Sequence, residues 1–212
     1  MGFLSEKDNQ SIEAAIKKAE AGTSGEIVFV VAKASAHYHD ATLQGALIGM
    51  AVVTAVLLMT PFPHTPTTLL CTEFISFAVF YALIPHLPWR RWIIPRHEMD
   101  ARVHEAAFMQ FYSSGLYKTR ESNGVEIYLS LFERRVVVLG DQSIHAKMGS
   151  QHWDDVRDLI IRGIKEGKVS SGICAAIESC GRALAEHFPP RPDDVNELPD
   201  QVINRPLDAE AP

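Results

Sequence analysis

Two long apolar segments, joined by a short proline-rich turn, constrain this chain more than any other feature. The first, residues 41–60, contains no charged side chain, and the second, residues 67–87, contains a single carboxylate, Glu73. At about 1.5 Å per residue, a helix of about 20 residues reaches about 30 Å, which is the thickness of the hydrocarbon core of a bilayer. Residues 61–66 between the segments include three prolines. The pattern predicts a transmembrane helical hairpin over residues 41–87.

The alternative is a pair of helices buried in the core of a soluble protein. Apolar side chains surround the whole of the first segment, whereas a helix of a soluble domain normally keeps one polar face. A run of about 18 or more apolar residues favours a membrane span. The lipid bilayer is therefore the first predicted partner of the chain. Glu73 would be an intramembrane carboxylate, and a role for it in transport would require oligomers, because two spans make no pore.

Basic residues flank the hairpin on one side only. The turn has no Lys or Arg, whereas Lys33 precedes the first segment and Arg90, Arg91 and Arg96 follow the second. The positive-inside rule places such flanks in the cytoplasm. The predicted topology therefore has two spans with both termini cytoplasmic.

The rest of the chain excludes several classes of function. The net charge is −6 and no basic tract lies outside the membrane flank, so we expect no nucleic-acid partner. The three cysteines form no CxxC pair, which gives no support for a zinc site or a disulfide framework. The chain also lacks GxxxxGK[ST], GxGxxG, HExxH and GxSxG, so P-loop nucleotide binding, zincin chemistry and α/β-hydrolase chemistry are unsupported.

Hydrophobic periodicity predicts an α/β fold, namely an α/β/α sandwich with a short mixed sheet, interrupted by the transmembrane helical hairpin. The predicted helices are residues 5–21, 96–114, 153–166 and 170–188, and the predicted strands are residues 26–32, 124–131 and 135–140. Ser5 and Asp8 form a predicted capping box on the first helix.

Three predicted parts follow from this order of elements. Residues 1–40 and 88–190 form a cytoplasmic α/β domain, and residues 41–87 form the hairpin inserted in it. Residues 191–212 form an acidic, proline-punctuated tail that is extended, either along the domain or free.

The candidate metal ligands are three carboxylates, Glu26, Asp141 and Asp154. Asp141 directly follows the last predicted strand, and the ends of strands are where α/β sheets commonly bind ligands. Carboxylate oxygens suit a hard cation, so these three residues would hold Ca²⁺ or Mg²⁺ if they converge. For Asp154 the alternative is a favourable interaction with the helix dipole. The acidic residues of the tail, including Asp200, lack the spacing of an EF-hand and are interpreted as solvated.

Histidines supply two further candidates. His97, Asp100 and His104 share one helix face and could bind a metal, although a solvated helix face is the favoured interpretation. His145 and His152 lie in one predicted loop and are candidate acid–base groups, although exposed loop histidines usually have no such role.

Three long segments carry a resemblance to a known family. They are TSGEIVFVV at residues 23–31, GVEIYLSLFERRVVVLGDQSIHAKM at residues 124–148, and AIESCGRALAEHFPPRPDDVNELPD at residues 176–200. Together with Trp153, they resemble the bacterial branch of the TPM-domain family, in which two spans are inserted after the first strand. The resemblance covers nearly the whole chain and implies an α/β/α sandwich.

Members of that family are linked to acid phosphatase activity, to Ca²⁺ binding, and to accessory or repair roles beside membrane complexes. In this chain Asp141 matches the acidic residue that follows the third strand. Two departures weaken a catalytic reading: Ser122 replaces an acidic residue before NGV, and Met148, Gly149 and Ser150 replace an acidic turn.

The resemblance therefore implies a membrane-anchored TPM-domain protein at the bacterial inner membrane. We expect a non-catalytic accessory, assembly or interaction subunit whose partner is another membrane protein or complex. The alternative is a metal-dependent acid phosphatase that acts on phosphate esters, with Asp141 as its catalytic residue and Ca²⁺ or Mg²⁺ as its cofactor.

Overall fold

The computed structural model of the chain describes residues 3–61, 63, 65–191 and 196–206 and has an α/β fold. The chain divides into two compact units: the first comprises Met1–Ala36 and Asp100–Pro212, and the second is His37–Met99. The helices are α1 (Glu6–Glu20), α2 (His39–Leu58), α3 (Pro66–Leu83), α4 (Arg96–Ser113), α5 (Gln142–Lys165) and α6 (Val169–His187). The strands are β1 (Glu26–Ala32), β2 (Gly124–Ser130), β3 (Arg135–Gly140) and β4 (Ile203–Arg205).

The strands of the first unit form one mixed sheet in the order β3-β2-β1-β4. β1 pairs in parallel with both β2 and β4, and β2 pairs with β3 as the predicted antiparallel hairpin. β4 comes from the segment predicted as an extended tail, so part of that tail completes the sheet. β3 is an edge strand of the described sheet.

Both faces of the sheet are covered by helices. Every residue of β1 and of β2 is buried. Because side chains alternate across a strand, Ile27 and Ile127 enter a core formed with α1, α5 and α6, whereas Val30 and Tyr128 enter a second core formed with α4. The sheet is therefore the middle layer of the predicted sandwich.

The start of α1 shows how local sequence determines an element. Ser5 is the N-cap, and its hydroxyl accepts a hydrogen bond from the Asp8 N–H. In return, the Asp8 carboxylate accepts from the Ser5 N–H at 2.9 Å. The Ser5 hydroxyl and N–H both donate to this carboxylate, which lowers the pKa of Asp8. The predicted capping box is confirmed.

α5 and α6 cross at a contact between two glycines. A Cβ added to Gly172 would lie 2.8 Å from the Cα of Gly163, so the two backbones touch. α5 is also longer than predicted, because it begins at Gln142 rather than at Trp153. The segment predicted as a loop after β3 is therefore the first part of this helix.

The second unit contains two helices that are long and apolar enough to cross a membrane, His39–Leu58 and Pro66–His86. They pack through Gly45 and Gly49, which have the GxxxG spacing that allows close approach of membrane helices. A Cβ at Gly45 would lie 2.7 Å from the Ile84 side chain, and one at Gly49 would lie 2.6 Å from the Phe80 ring.

Candidate functional site

The topology of the sheet determines which predicted ligands can approach each other. Glu26 pairs with Gly124, and the Asp141 N–H donates to the Gly124 carbonyl at 3.0 Å. Glu26 and Asp141 therefore lie at the same edge of the sheet, on either side of β2. β1 and β2 are parallel and begin at Glu26 and Gly124, so this end of the sheet holds their amino ends, not the carboxyl ends where parallel sheets usually bind ligands.

The third predicted ligand does not join them. Asp154 lies on α5, where its carboxylate accepts from Arg157 at 2.9 Å and its side chain is half exposed. Asp141 directly precedes α5, a position at which a carboxylate commonly caps a helix. Asp154 is thus engaged with Arg157 on the surface of α5, and the binding of one cation by Glu26, Asp141 and Asp154 together stays a prediction.

A different set of carboxylates surrounds a cavity at this edge. The cavity has a volume of about 210 Å³ and is lined by Lys17, Glu20, Ala21, Thr23, Gly25, Glu26, Asn196 and Asp200. The Ile27 N–H donates to Glu20 at 2.8 Å, and the Glu197 N–H donates to Glu26 at 3.1 Å. Asp200 was predicted to be solvated, but its side chain is only 11% exposed and lies 3.9 Å from the Lys17 ammonium.

The buried position of Glu20 changes the protonation of its carboxyl group. Burial raises the pKa of Glu20 to about 8, and the nearby charges of Glu26 and Asp200 raise it further against the lowering effect of the Ile27 N–H. Glu20 therefore keeps its proton at neutral pH. It is a candidate proton donor in this cavity.

A second polar cluster lies beside the cavity and uses a residue that the sequence analysis overlooked. The Ser24 hydroxyl donates to one carboxylate oxygen of Glu121 at 3.0 Å, and Arg191 donates to the other at 2.7 Å. The Asn123 amide donates to the Ser24 carbonyl at 2.6 Å. The resemblance implied an acidic residue at the position of Ser122. Glu121, one position earlier, supplies an acidic side chain next to it.

The opposite edge of the sheet is occupied by the chain's own polar groups. The Ser35 N–H donates to Glu133 at 2.9 Å, and the Ser35 hydroxyl donates to Ser130 at 3.1 Å. The Ser130 hydroxyl in turn donates to the second oxygen of Glu133, whose side chain is buried. Tyr128 lies 3.4 Å from the Ser35 hydroxyl. This network joins the segment after β1 to the end of β2.

The predicted histidine candidates have other surroundings. Asp100 forms an ion pair with Arg135, which removes it from the proposed metal-binding face. His152 lies on α5 rather than in a loop, its ring packs edge-on against Trp153, and burial lowers its pKa. The side chain of His145 lies outside the described residues.

We call the end of the sheet that carries Glu20, Glu26 and Asp200 the acidic edge. The carboxylate oxygens of this edge are not arranged to bind Ca²⁺ or Mg²⁺. These ions require about six or more oxygen ligands at about 2.0–2.6 Å. Among the residues that the structure describes, no group of three His, Cys, Asp or Glu side chains is placed to hold a metal. In addition, Glu20 is protonated at neutral pH, and Glu26 already accepts a backbone hydrogen bond. A cation would require rearrangement of these side chains.

Comparison with known proteins supports the fold. No protein family and no curated protein matches the chain. Among solved structures it is similar to the NMR structure of the BA42 protein from the psychrophilic bacterium Bizionia argentinensis. The two chains are 23% identical, with 96% of each covered and a TM-score of 0.59. The predicted α/β fold is confirmed, and at this identity the likeness establishes the fold alone.

Proposed function

We propose that this chain is a membrane-anchored accessory subunit at the bacterial inner membrane. In this proposal α2 and α3 cross the bilayer as a hairpin, and the α/β unit lies in the cytoplasm. There it serves as an interaction or assembly domain for another membrane protein, as the resemblance to the TPM-domain family implies.

The observation that carries the proposal is the exposure of apolar side chains on α2 and α3. Only 22% and 11% of the most apolar windows of the two candidate spans are buried. Phe74 is 76% exposed, Ile75 64% and Ile48 61%. Covering a side chain of this size is worth about 1.5–3 kcal/mol, so a hairpin of this length in water would carry a penalty on the order of 10 kcal/mol. A bilayer removes that penalty.

Arg90 supports the hairpin geometry. Its guanidinium is buried and donates to the His37 carbonyl at 2.6 Å and to the Pro85 carbonyl at 3.4 Å. It also lies over the ring of Tyr38, 5.9 Å from the centroid. Arg90 therefore joins the chain that enters α2 to the chain that leaves α3. A hairpin whose two flanks lie on the same side of the membrane requires that its two ends be adjacent.

Topology is tested by thiol labelling of single-cysteine variants in intact spheroplasts. A membrane-impermeant maleimide should label Thr65→Cys in the turn and should label Lys7→Cys on α1 only after lysis. A chain that alkaline carbonate strips from membranes, or labelling of both sites before lysis, would contradict the proposed anchor.

The accessory role is tested by extraction in mild detergent and native electrophoresis. We expect the chain to migrate with a larger membrane complex, and a variant with α2 and α3 replaced by a short soluble linker to migrate alone. A full-length chain that always migrates alone would count against an assembly role while leaving the anchor in place.

Phosphate-ester hydrolysis is the second candidate, and the acidic edge is the observation that favours it. Asp141 and Glu26 lie on either side of Gly124 at this edge, and Glu20 carries a proton at neutral pH that a leaving group could accept. The test is turnover of p-nitrophenyl phosphate with and without Ca²⁺ or Mg²⁺, in the wild type, Asp141→Ala and Glu20→Gln. Equal rates in all three proteins would remove this candidate.

A further inference from the structure

The outer edge of β3 offers backbone groups for pairing. The order of the described sheet places β3 at the edge, with β2 on its inner side. The Asp141 N–H bonds inward to Gly124, and the direction of these groups alternates along an antiparallel strand. The N–H and C=O groups of Val136, Val138 and Gly140 therefore point outward, away from β2.

A cavity of about 320 Å³ opens along the first part of this edge. Its lining residues all lie in the first unit, on α4, on β3, on the turn before β3 and on α5. They include Val136 and Val137, whose side chains enter the two different cores. The cavity therefore crosses the strand edge from one face of the sheet to the other. The full lining is Asp100, Val103, His104, Arg134, Arg135, Val136, Val137, Arg157 and Ile161.

The charge of this lining is predominantly positive. Arg134, Arg135 and Arg157 contribute three guanidinium groups, against the single carboxylate of Asp100, which pairs with Arg135. Arg157 is held by carboxylates of its own helix, Asp154 at 2.9 Å among them. Arg134 is exposed and forms no ion pair with any described residue. Within the described part of the chain, the cavity thus offers an arginine without an ion pair next to a strand edge with which no strand pairs.

We propose that this edge binds an extended acidic peptide segment of a partner protein, which adds as a strand beside β3. Backbone pairing with the outward groups of Val136 and Val138 supplies the affinity, and alternate side chains supply the specificity. Carboxylates of the peptide meet Arg134, and its apolar side chains lie along Val103 on one face of the sheet and Ile161 on the other, both in the lining.

A second copy of the chain suits this edge less well. A second β3 strand has the sequence RVVVLG, with one basic residue and no carboxylate, so it would bring no negative charge to meet Arg134. The inference goes beyond the proposed accessory role by assigning a surface and a partner chemistry. It requires no particular membrane topology.

The experiment is selection from a displayed peptide library, with the full chain in nanodiscs as bait, followed by affinity measurement of the enriched peptides. We expect the enriched sequences to be acidic and rich in β-branched residues. Arg134→Glu should weaken their binding by about tenfold or more, because it replaces attraction with repulsion. Arg182→Glu, an exposed arginine on α6, is the matched control and should bind as the wild type does.

Val136→Pro tests the backbone component, because it removes an outward N–H without removing a bond to β2. Binding should be lost while the circular dichroism spectrum is kept; if this variant does not fold, Arg134→Glu decides the question. Three results would overturn the proposal: no enrichment, enrichment without acidic sequences, or equal affinity of Arg134→Glu and Arg182→Glu. Displacement of the peptide by an equal concentration of inorganic phosphate would identify an anion site and would also overturn it.

Discussion

Glu126 lies in the middle of β2 and is the most severely buried carboxyl group in the described chain. Its side chain has 0% exposure, and neither carboxylate oxygen has a hydrogen-bond partner among the described residues. Burial raises the pKa of Glu126 to about 9, against a weak opposing effect of Arg205. The folded chain therefore keeps this proton at neutral pH, whereas the unfolded chain releases it above the ordinary value of 4.5.

The consequence is a fall in stability as pH rises. Between pH 4.5 and about 9 the folded state binds one more proton at this site than the unfolded state, so the free energy of unfolding falls with pH. One pKa unit corresponds to about 1.4 kcal/mol, which gives a loss of about 3 kcal/mol between pH 4.5 and pH 7. Glu126→Gln has no proton to release and should lose this part of the pH dependence.

The assay is urea unfolding of the full chain in detergent micelles, followed by circular dichroism from pH 5 to pH 8. Relative to Glu126→Gln, the wild type should lose about 4 kcal/mol over this range, which is a midpoint shift of about 1–4 M urea. Glu20 remains in both proteins, so its own contribution cancels. Glu186→Gln removes an exposed carboxylate of α6 and should follow the wild type. Parallel pH profiles for the wild type and Glu126→Gln would refute the reasoning.

Three further substitutions test the packing and the backbone. Gly49→Leu forces a side chain into the ring of Phe80 and should destabilise the hairpin by about 1–3 kcal/mol, as measured by thermal unfolding in micelles. Val52→Leu, at an exposed position, is the control and should not destabilise it. Equal melting temperatures of the two variants would contradict the packing. Gly172→Ala places a methyl group against the backbone of α5 and should cost about 1–3 kcal/mol in urea unfolding, and an unchanged midpoint would show that the helices separate easily. Arg134 has a left-handed backbone conformation, with φ 55°, which is strained for a residue with a Cβ. Arg134→Gly relieves this strain and should raise the free energy of unfolding by about 1 kcal/mol. A lower melting temperature would show that the arginine side chain stabilises the turn.

The parts of the fold that depend on local sequence were predictable. The two candidate spans, His39–Leu58 and Pro66–His86, nearly coincide with the apolar segments at residues 41–60 and 67–87, because length and hydropathy define a candidate span without reference to the rest of the chain. The capping box of Ser5 was likewise predictable, since its partner lies three residues away.

The parts that depend on distant residues were not. β4 has three residues and no strand pattern of its own, so only its pairing with β1 reveals it. Asp200 was predicted to be solvated, because its neighbour Lys17 lies on α1, far away in sequence. Glu121 was overlooked for a similar reason, since its partners Ser24 and Arg191 lie far from it along the chain.

The pairing of β1 with both β2 and β4 has a consequence for biosynthesis. β1 is translated first, but both of its neighbours in the sheet are translated after α2 and α3. Until Ile203 leaves the ribosome, the apolar segment EIVFVVA lacks the partner at one of its edges, and a strand of this composition is prone to aggregate when unpaired. In the membrane-anchored state, the nascent hairpin would enter the bilayer while the domain on either side of it is still incomplete. β1 therefore lacks both of its neighbours until β2 is translated, and it keeps one unpaired edge until β4 is translated.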